Sequence, residues 1–435
     1  MTTYHLPGLH VTERTTTVPL DWSRPDPSTG PGGSGEQISV FWREVVDPDR
    51  RDDDLPLLVY LQGGPGGASP RPLKRDGWLD EALKTYRVIL PDQRGTGRST
   101  PLDGEEVAAR GDGAAGADYL ACFRADSIVA DLEHVRRTHY DGRRWASLGQ
   151  SFGGWITLAY LSTAPEGLAA CYVTGGIPGT PASADEVYRR TFARAEAKTR
   201  RYYDLYPQDV DAVAAIADRL AEGDVRLPDG DALSTRRFQS LGIDLGMKPG
   251  SERLHWLVDE AFVRPGRLSH AFLEQVQVRT SSASNPLFWT LQESIYGDGA
   301  NGPTAWAAQR ARDERPQFGP DERPLLLTGE MAFPWMFDEV RLLEPFAPAV
   351  HELAARTEWS RLYDVERLAA NDVPLAAAVY FDDMYVDSGL QLDTLSRLGS
   401  SHAWVTNEYE HDGLSDPRVL RRLRELVRDA GGERR

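Results

Sequence analysis

The sequence predicts an α/β fold: a mostly parallel, doubly wound sheet with helices on both faces and a large, mainly helical segment inserted before its last two strands. Three observations carry this. The runs Leu55–Leu61, Ala169–Gly176 and Val373–Phe381 are short and mostly apolar, as strands covered on both faces are. Between the first two, Gly149-Gln150-Ser151-Phe152-Gly153 joins the strand-like Trp145–Leu148 to the helix-like Gly154–Leu161, which stops before Pro165. From about Thr180 to Asp364 the pattern changes to charged segments of helical period, such as Asp185–Tyr203, Asp211–Ala221 and Thr304–Asp313.

Taken in order, Val11–Leu20 and Gln37–Val46 are rich in β-branched residues and read as two antiparallel edge strands, with a Pro/Gly/Ser-rich loop from Arg24 to Gly35 between them. Leu55–Leu61 ends in Gln62-Gly63-Gly64-Pro65-Gly66-Gly67. Thr85–Leu90 is the next strand and opens into Pro91–Ser99, a polar glycine-rich loop at a strand end, where open α/β sheets place their sites. Asp126–Arg137 puts Ile128, Leu132 and Val135 on one helical face, with Asp126 as its cap. His134 and His139 read as solvated or packing residues, and Cys171 as a small core residue. Val373–Phe381 and Ala403–Tyr409 complete the sheet. The chain therefore divides into a core, residues 1–180 and 365–435, and a helical cap, residues 181–364.

Composition narrows the function. An apolar content of 40% in 435 residues supports a large core, and no run reaches the ~20 apolar residues of a membrane span. The first residues lack a basic region followed by an apolar one, and two cysteines cannot make a disulfide framework; a cytoplasmic protein is expected. With 49 basic against 66 acidic residues, a net charge of −17 argues against nucleic acid or anionic membranes as partners and is compatible with cationic ligands. No acidic partner spacing around His134 and His139 suggests a metal site.

Gly149–Gly153 fits G-x-S-x-G, a turn in which small residues let a strand bend sharply into a helix and lift the Ser151 hydroxyl above the sheet. The Phe152 amide then lies at a helix N-terminus and can donate to a developing oxyanion. The glycines after Leu61 lack the G-x-G-x-x-G spacing of a dinucleotide loop; they read better as the oxyanion loop of an α/β-hydrolase, with the Gly64 amide as second donor. Such chemistry needs a base and a buried carboxylate in the order Ser, Asp or Glu, His. Of nine histidines His411 is best placed, just after the last strand, whereas His402 precedes that strand at the wrong end of the sheet. The acid is expected at Asp382-Asp383, with Asp387 as a third choice.

The pair Gln62-Gly63-Gly64-Pro65-Gly66 and Asp92-Gln93-Arg94-Gly95-Thr96-Gly97-Arg98-Ser99 resembles the prolyl aminopeptidases (proline iminopeptidases), serine peptidases of the α/β-hydrolase fold, and in particular their larger branch of roughly 430 residues. The family's first loop usually begins with histidine where this chain has Gln62, a departure that bears on loop packing because the oxyanion donors are backbone groups. The resemblance implies Ser151, Asp383 and His411 as the triad, with Asp382 the alternative acid, and no metal or organic cofactor. It also implies that cap carboxylates receive a substrate's free amino group. Glu293, within Phe288–Tyr296, and Glu330, within Leu325–Phe337, resemble such segments; each is either a ligand group or tied to a structural arginine. Tyr296, Phe333 and Trp335, with Trp289, could wall a pyrrolidine ring or simply pack in a core.

The expected activity is release of N-terminal proline from small peptides with a free N-terminus, through an acyl-enzyme. Two other readings remain: an esterase, or a peptidase releasing other residues or longer fragments; and a hydrolase-like scaffold that only binds. Oligomeric state is left open.

Overall fold

The computed structural model describes residues 2–23 and 35–432. Its central sheet has nine strands: β1 (Thr2–Leu6), β2 (Leu9–Pro19), β3 (Gln37–Val46), β4 (Leu57–Leu61), β5 (Arg87–Asp92), β6 (Trp145–Gln150), β7 (Leu168–Thr174), β10 (Leu375–Tyr380) and β11 (Ser401–Thr406). The spatial order is β1-β2-β3-β5-β4-β6-β7-β10-β11. From β5 to β11 every pairing is parallel, while β1, β2 and β3 join antiparallel at one side. A small hairpin, β8 (Phe262–Arg264) and β9 (Arg267–Leu268), stands apart from this sheet.

The apolar runs are continuous because both faces are covered. Leu57, Val59 and Leu61 face one core, shared with α2 (Ala125–His139) and α3 (Phe152–Thr163). Leu58 and Tyr60 face the other, shared with α1 (Gly77–Leu83) and the C-terminal helix. Between β7 and β10 lies the inserted segment, which includes α4 (Ala184–Leu205), α5 (Gln208–Ala221) and α6 (Ala307–Asp313). The last two strands are linked by α7 (Ser388–Arg397), and α8 (Pro417–Asp429) follows them. Buried apolar side chains of α4 and α5 are continuous with the core on the α2–α3 face.

Three expectations are corrected. β2 and β3 are not edge strands: β1 turns back at Pro7-Gly8, where Gly8 takes φ 72°, and forms the edge outside β2. Asp126 does not cap α2, which starts one residue earlier with Arg124 at the cap position; Asp126 lies in the first turn, where a carboxylate suits the helix dipole. His402 lies inside β11, still at the end of the sheet away from His411. Of the loop expected from Arg24 to Gly35, residues 24–34 fall outside the described residues.

One buried ion pair ties the glycine-rich loop after β5 to α2. Arg94, 1% exposed, donates Nε and Nη2 to Asp131 at 2.7 and 2.6 Å, and its remaining hydrogens go to the carbonyls of Pro19, Leu20 and Cys122. Trp22 Nε1 donates to the same carboxylate at 2.8 Å. Removing one member leaves an uncompensated buried charge. Arg94→Ala is therefore expected to lower stability by about 3–5 kcal/mol, read as an earlier urea midpoint, and a midpoint equal to that of the wild type would contradict this role.

Candidate active site

A single residue, Ser151, separates β6 from α3, and it takes φ 52° and ψ −124°. A side chain at positive φ is strained, by about 1–3 kcal/mol, and persists only where its surroundings impose it. Here the Ser151 amide donates to Thr174 O at 3.0 Å and its carbonyl accepts from Gly154 N at 2.7 Å. The turn is also pressed against neighbouring backbone. A Cβ on Gly153 would lie 2.0 Å from Leu61 O, and one on Gly154 would lie 1.8 Å from Gly176 O. No side chain fits at either.

The loop after β4 lies beside the serine. A Cβ on Gly63 would come 2.9 Å from Ser151 Cβ and 3.6 Å from its hydroxyl oxygen. Gly64, the expected second oxyanion donor, takes φ 130°, and Phe152, the expected first, opens α3. Gln93 Nε2 holds the loop by donating to the backbone carbonyl of Gln62 at 2.8 Å. The second glycine-rich loop is organised around Asp92, fully buried, which accepts from both Arg71 Nη atoms at 2.5 and 2.7 Å and from the amides of Ser69 and Arg98.

His411 lies in the turn between β11 and α8, and its Nδ1 is 2.7 Å from Asp383 Oδ2. Asp383 is fully buried, and its other oxygen accepts from the amides of Tyr385 (2.8 Å) and Val386 (3.1 Å). Burial alone would push the His411 pKa down; the carboxylate of Asp383 outweighs it, and the pKa is raised. With an anion opposite, Nδ1 carries the hydrogen and Nε2 keeps its lone pair. Asp382 is half-exposed, 4.0 Å from Arg194, and Asp387 caps α7 while pairing with Arg190 and Arg194. The choice between neighbouring aspartates is thus made by geometry. The turn Gly175-Gly176 connects the parts: a Cβ on Gly176 would meet Ser151 O at 2.3 Å, and one on Gly175 would meet Asp383 Oδ2 at 3.2 Å.

The two cap glutamates differ. Burial raises both to about 7. Glu293 spends its oxygens on the amides of Ala307 (3.1 Å) and Ala308 (2.9 Å) at the start of α6, so it is tied to a helix terminus rather than to an arginine. Glu330 feels the charges of His411 and Asp383 and lies beside Gln292. Tyr296 is buried between Trp155 of α3 and Tyr188 of α4, with ring centroids 6.4 and 6.0 Å away, and faces both glutamates. Phe333 and Trp335 stack at 5.9 Å, with Arg312 over the first and Arg236 over the second; Phe333 is wholly enclosed.

Sequence reasoning missed three residues around this site. Tyr385 packs edge-on against His411 at 4.8 Å and donates its hydroxyl to Ile243 O. Gln292, fully buried, presents its amide to Glu330. Arg124, 3% exposed, reaches from the start of α2 to Ser294 O, Gly297 O and Ser360 Oγ, and so fixes the segment that carries Glu293 and Tyr296. Its partners are about 170 or more positions away, and no local pattern announces them.

Fold and site together define the class: the chain is an α/β hydrolase, and a family model described as the alpha/beta hydrolase fold matches residues 56–259. A proline iminopeptidase of Aeromonas sobria is 44% identical over 429 residues, covering 98% of this chain and 98% of that one. A proline iminopeptidase of Aspergillus aculeatus is 35% identical over 413 residues, 91% of this chain and 88% of its own. That of Neisseria gonorrhoeae is 32% identical, but only over 137 residues, 31% of this chain and 36% of its own. The chain belongs to the proline iminopeptidase family and matches its larger members along nearly the whole length.

The steric argument at the turn is testable directly. Gly154→Ala puts a methyl group 1.8 Å from Gly176 O and is expected to cost about 3 kcal/mol or more, seen as a lower melting temperature. A variant that melts with the wild type would mean the two backbones are free to part.

Proposed function

We propose that this protein is a serine exopeptidase that removes N-terminal proline from small peptides. The observation that carries the reading is the Asp383–His411 pair at 2.7 Å, set on the same rim of the sheet as the strained Ser151 turn. Ser151 Oγ attacks the carbonyl carbon of the N-terminal proline while His411 Nε2 takes its proton. The amides of Phe152 and Gly64 receive the oxyanion. The C–N bond then breaks, and His411 returns the proton to the leaving amine. Water, deprotonated by His411, hydrolyses the acyl ester and frees proline. Asp383 keeps the imidazole oriented and stabilises its charged form. None of these steps needs a metal or organic cofactor.

The free amino group is recognised by charge. A desolvated ammonium needs an anionic partner, and in this reading Glu330, beside the catalytic groups, supplies it directly. Glu293 adds negative charge from behind, and Tyr296 with the Phe333–Trp335 stack bounds the apolar part of the pocket. The residues 181–364 act as the cap over a core of 1–180 and 365–435. Among the described residues no helix is long and apolar enough to cross a membrane. The two cysteines are free, which supports a cytoplasmic enzyme.

Free and N-blocked prolyl-β-naphthylamide separate this reading from an esterase or an endopeptidase. Turnover is expected only with the free amine; equal hydrolysis of the blocked substrate rules out the aminopeptidase. Ser151→Ala is expected to lower kcat by about 10⁵–10⁶ with the melting temperature retained, and wild-type turnover in that variant would displace Ser151 as nucleophile.

The acid limb of the pH profile tests the carboxylate cluster. His411 must be neutral to act, so kcat/KM falls as pH drops through its pKa. The Glu330 anion favours imidazolium and holds that pKa up. Glu330→Gln removes the anion, and with a neutral p-nitrophenyl ester, which needs no amine partner, the acid limb is expected to move to lower pH. A limb that stays in place or moves up would show that Glu330 does not sense the imidazole.

A further inference from the structure

A second site adjoins the one just described. A cavity of about 180 Å³ lies among segments of the inserted region, with Val278 and Ser284 exposed beside it. The protein carries a net charge of −17, yet the charged side chains lining this cavity are Arg237 and Arg279, the second of them paired with Asp244 at 2.6 Å. Arg237 is 1% exposed. Its Nη1 pairs with Asp231 at 3.2 Å and its Nε donates to Thr280 Oγ1 at 3.0 Å, but its Nη2 has no hydrogen-bond partner. Two more wall residues carry buried unpartnered polar atoms, Trp335 Nε1 and Asn285 Oδ1. Buried polar groups are nearly always satisfied, and three exceptions around one cavity mark a place prepared for a polar occupant.

Its position is what gives the cavity meaning. Asn285 Nδ2 donates to Pro65 O at 3.4 Å, and Asn285 Oδ1 is 2.9 Å from where a Cβ on Gly66 would be, so one wall is the outer side of the loop that lies against Ser151. Ile243, in another wall, accepts from the Tyr385 hydroxyl, and the Tyr385 ring packs on His411. Trp335 belongs to both the cavity and the expected proline pocket. The cavity is therefore joined to the surroundings of Ser151 and His411 through Asn285 and Ile243.

We propose that this cavity binds the C-terminal carboxylate of a short peptide substrate, the part that leaves when the prolyl bond is cut. The inference rests on the aminopeptidase reading and adds to it a preference for dipeptides or tripeptides ending in a free acid. Arg279 is already paired with Asp244, so the donor that favours a carboxylate over an amide is the unpartnered Nη2 of Arg237, because a guanidinium bonds an anion more strongly than a neutral oxygen. The Phe288, Trp289 and Trp335 rings leave apolar wall for the residue that carries it.

The experiment compares Pro-Ala and Pro-Ala-Ala as free acids and as C-terminal amides, with prolyl-β-naphthylamide as a reference that has no carboxylate. With the wild type, kcat/KM is expected to favour the acid about tenfold for at least one length. A ratio below threefold at both lengths overturns the subsite while leaving the aminopeptidase intact. If none of the five substrates releases proline, the aminopeptidase reading itself has failed. In Arg237→Gln and Arg279→Gln, with folding checked by thermal melts, the acid-over-amide ratio is expected to fall toward one through KM rather than kcat. A ratio unchanged in both folded variants overturns the assignment, and the wild-type ratio decides the matter if neither variant folds.

Discussion

Everything at this site depends on one steric constraint, the close approach of three backbone segments around Ser151. The ends of β4 and β7 and the first turn of α3 are so near that a Cβ at Gly153 or Gly154 would overlap a carbonyl oxygen at 2.0 or 1.8 Å. That contact explains why glycine occupies both positions, and it imposes φ 52° on Ser151. Strain at one residue is tolerated because largely buried strands on either side fix where the turn must go. The same packing places Gly63 beside the Ser151 side chain and Gly176 against the Ser151 backbone, so the loop after β4 and the serine share one frame.

From that frame outward, the legibility of the sequence follows the range of the interactions. β4, β6, β7 and β10 were readable because burial on two faces leaves an apolar run that needs no partner to be recognised. The turn at Ser151 was readable because its glycines are a local demand. Asp383 and Asp382 could not be separated locally: adjacent residues with the same side chain differ only in which one points at His411, 28 positions away. β1 escaped notice since it is five residues long and mostly exposed, with no apolar stripe to announce it. Arg124 and Gln292 were silent for the same kind of reason. Their importance lies wholly in contacts made far along the chain.

The glutamates illustrate a subtler limit. Glu293 and Glu330 both looked like carboxylates in apolar company, and both are, with pKa values raised to about 7 by burial. What distinguishes them is who is near. Two helix amides already satisfy Glu293, whereas Glu330 has Gln292 beside it and feels the charges of His411 and Asp383. Composition and spacing describe an environment, but only geometry says whether its polar groups have been used up.

The charge balance of the site then follows. His411 is buried with Asp383, and Glu330 faces the pair. An ionised Glu330 holds a second negative charge next to a single imidazole, which is costly in a place shielded from water, and its raised pKa expresses that cost. A bound cation would remove it. In the proposed reading, a substrate bearing an ammonium supplies that cation. Selectivity for a free N-terminus, on that reading, rests on the burial of Glu330, and a less enclosed site would weaken it.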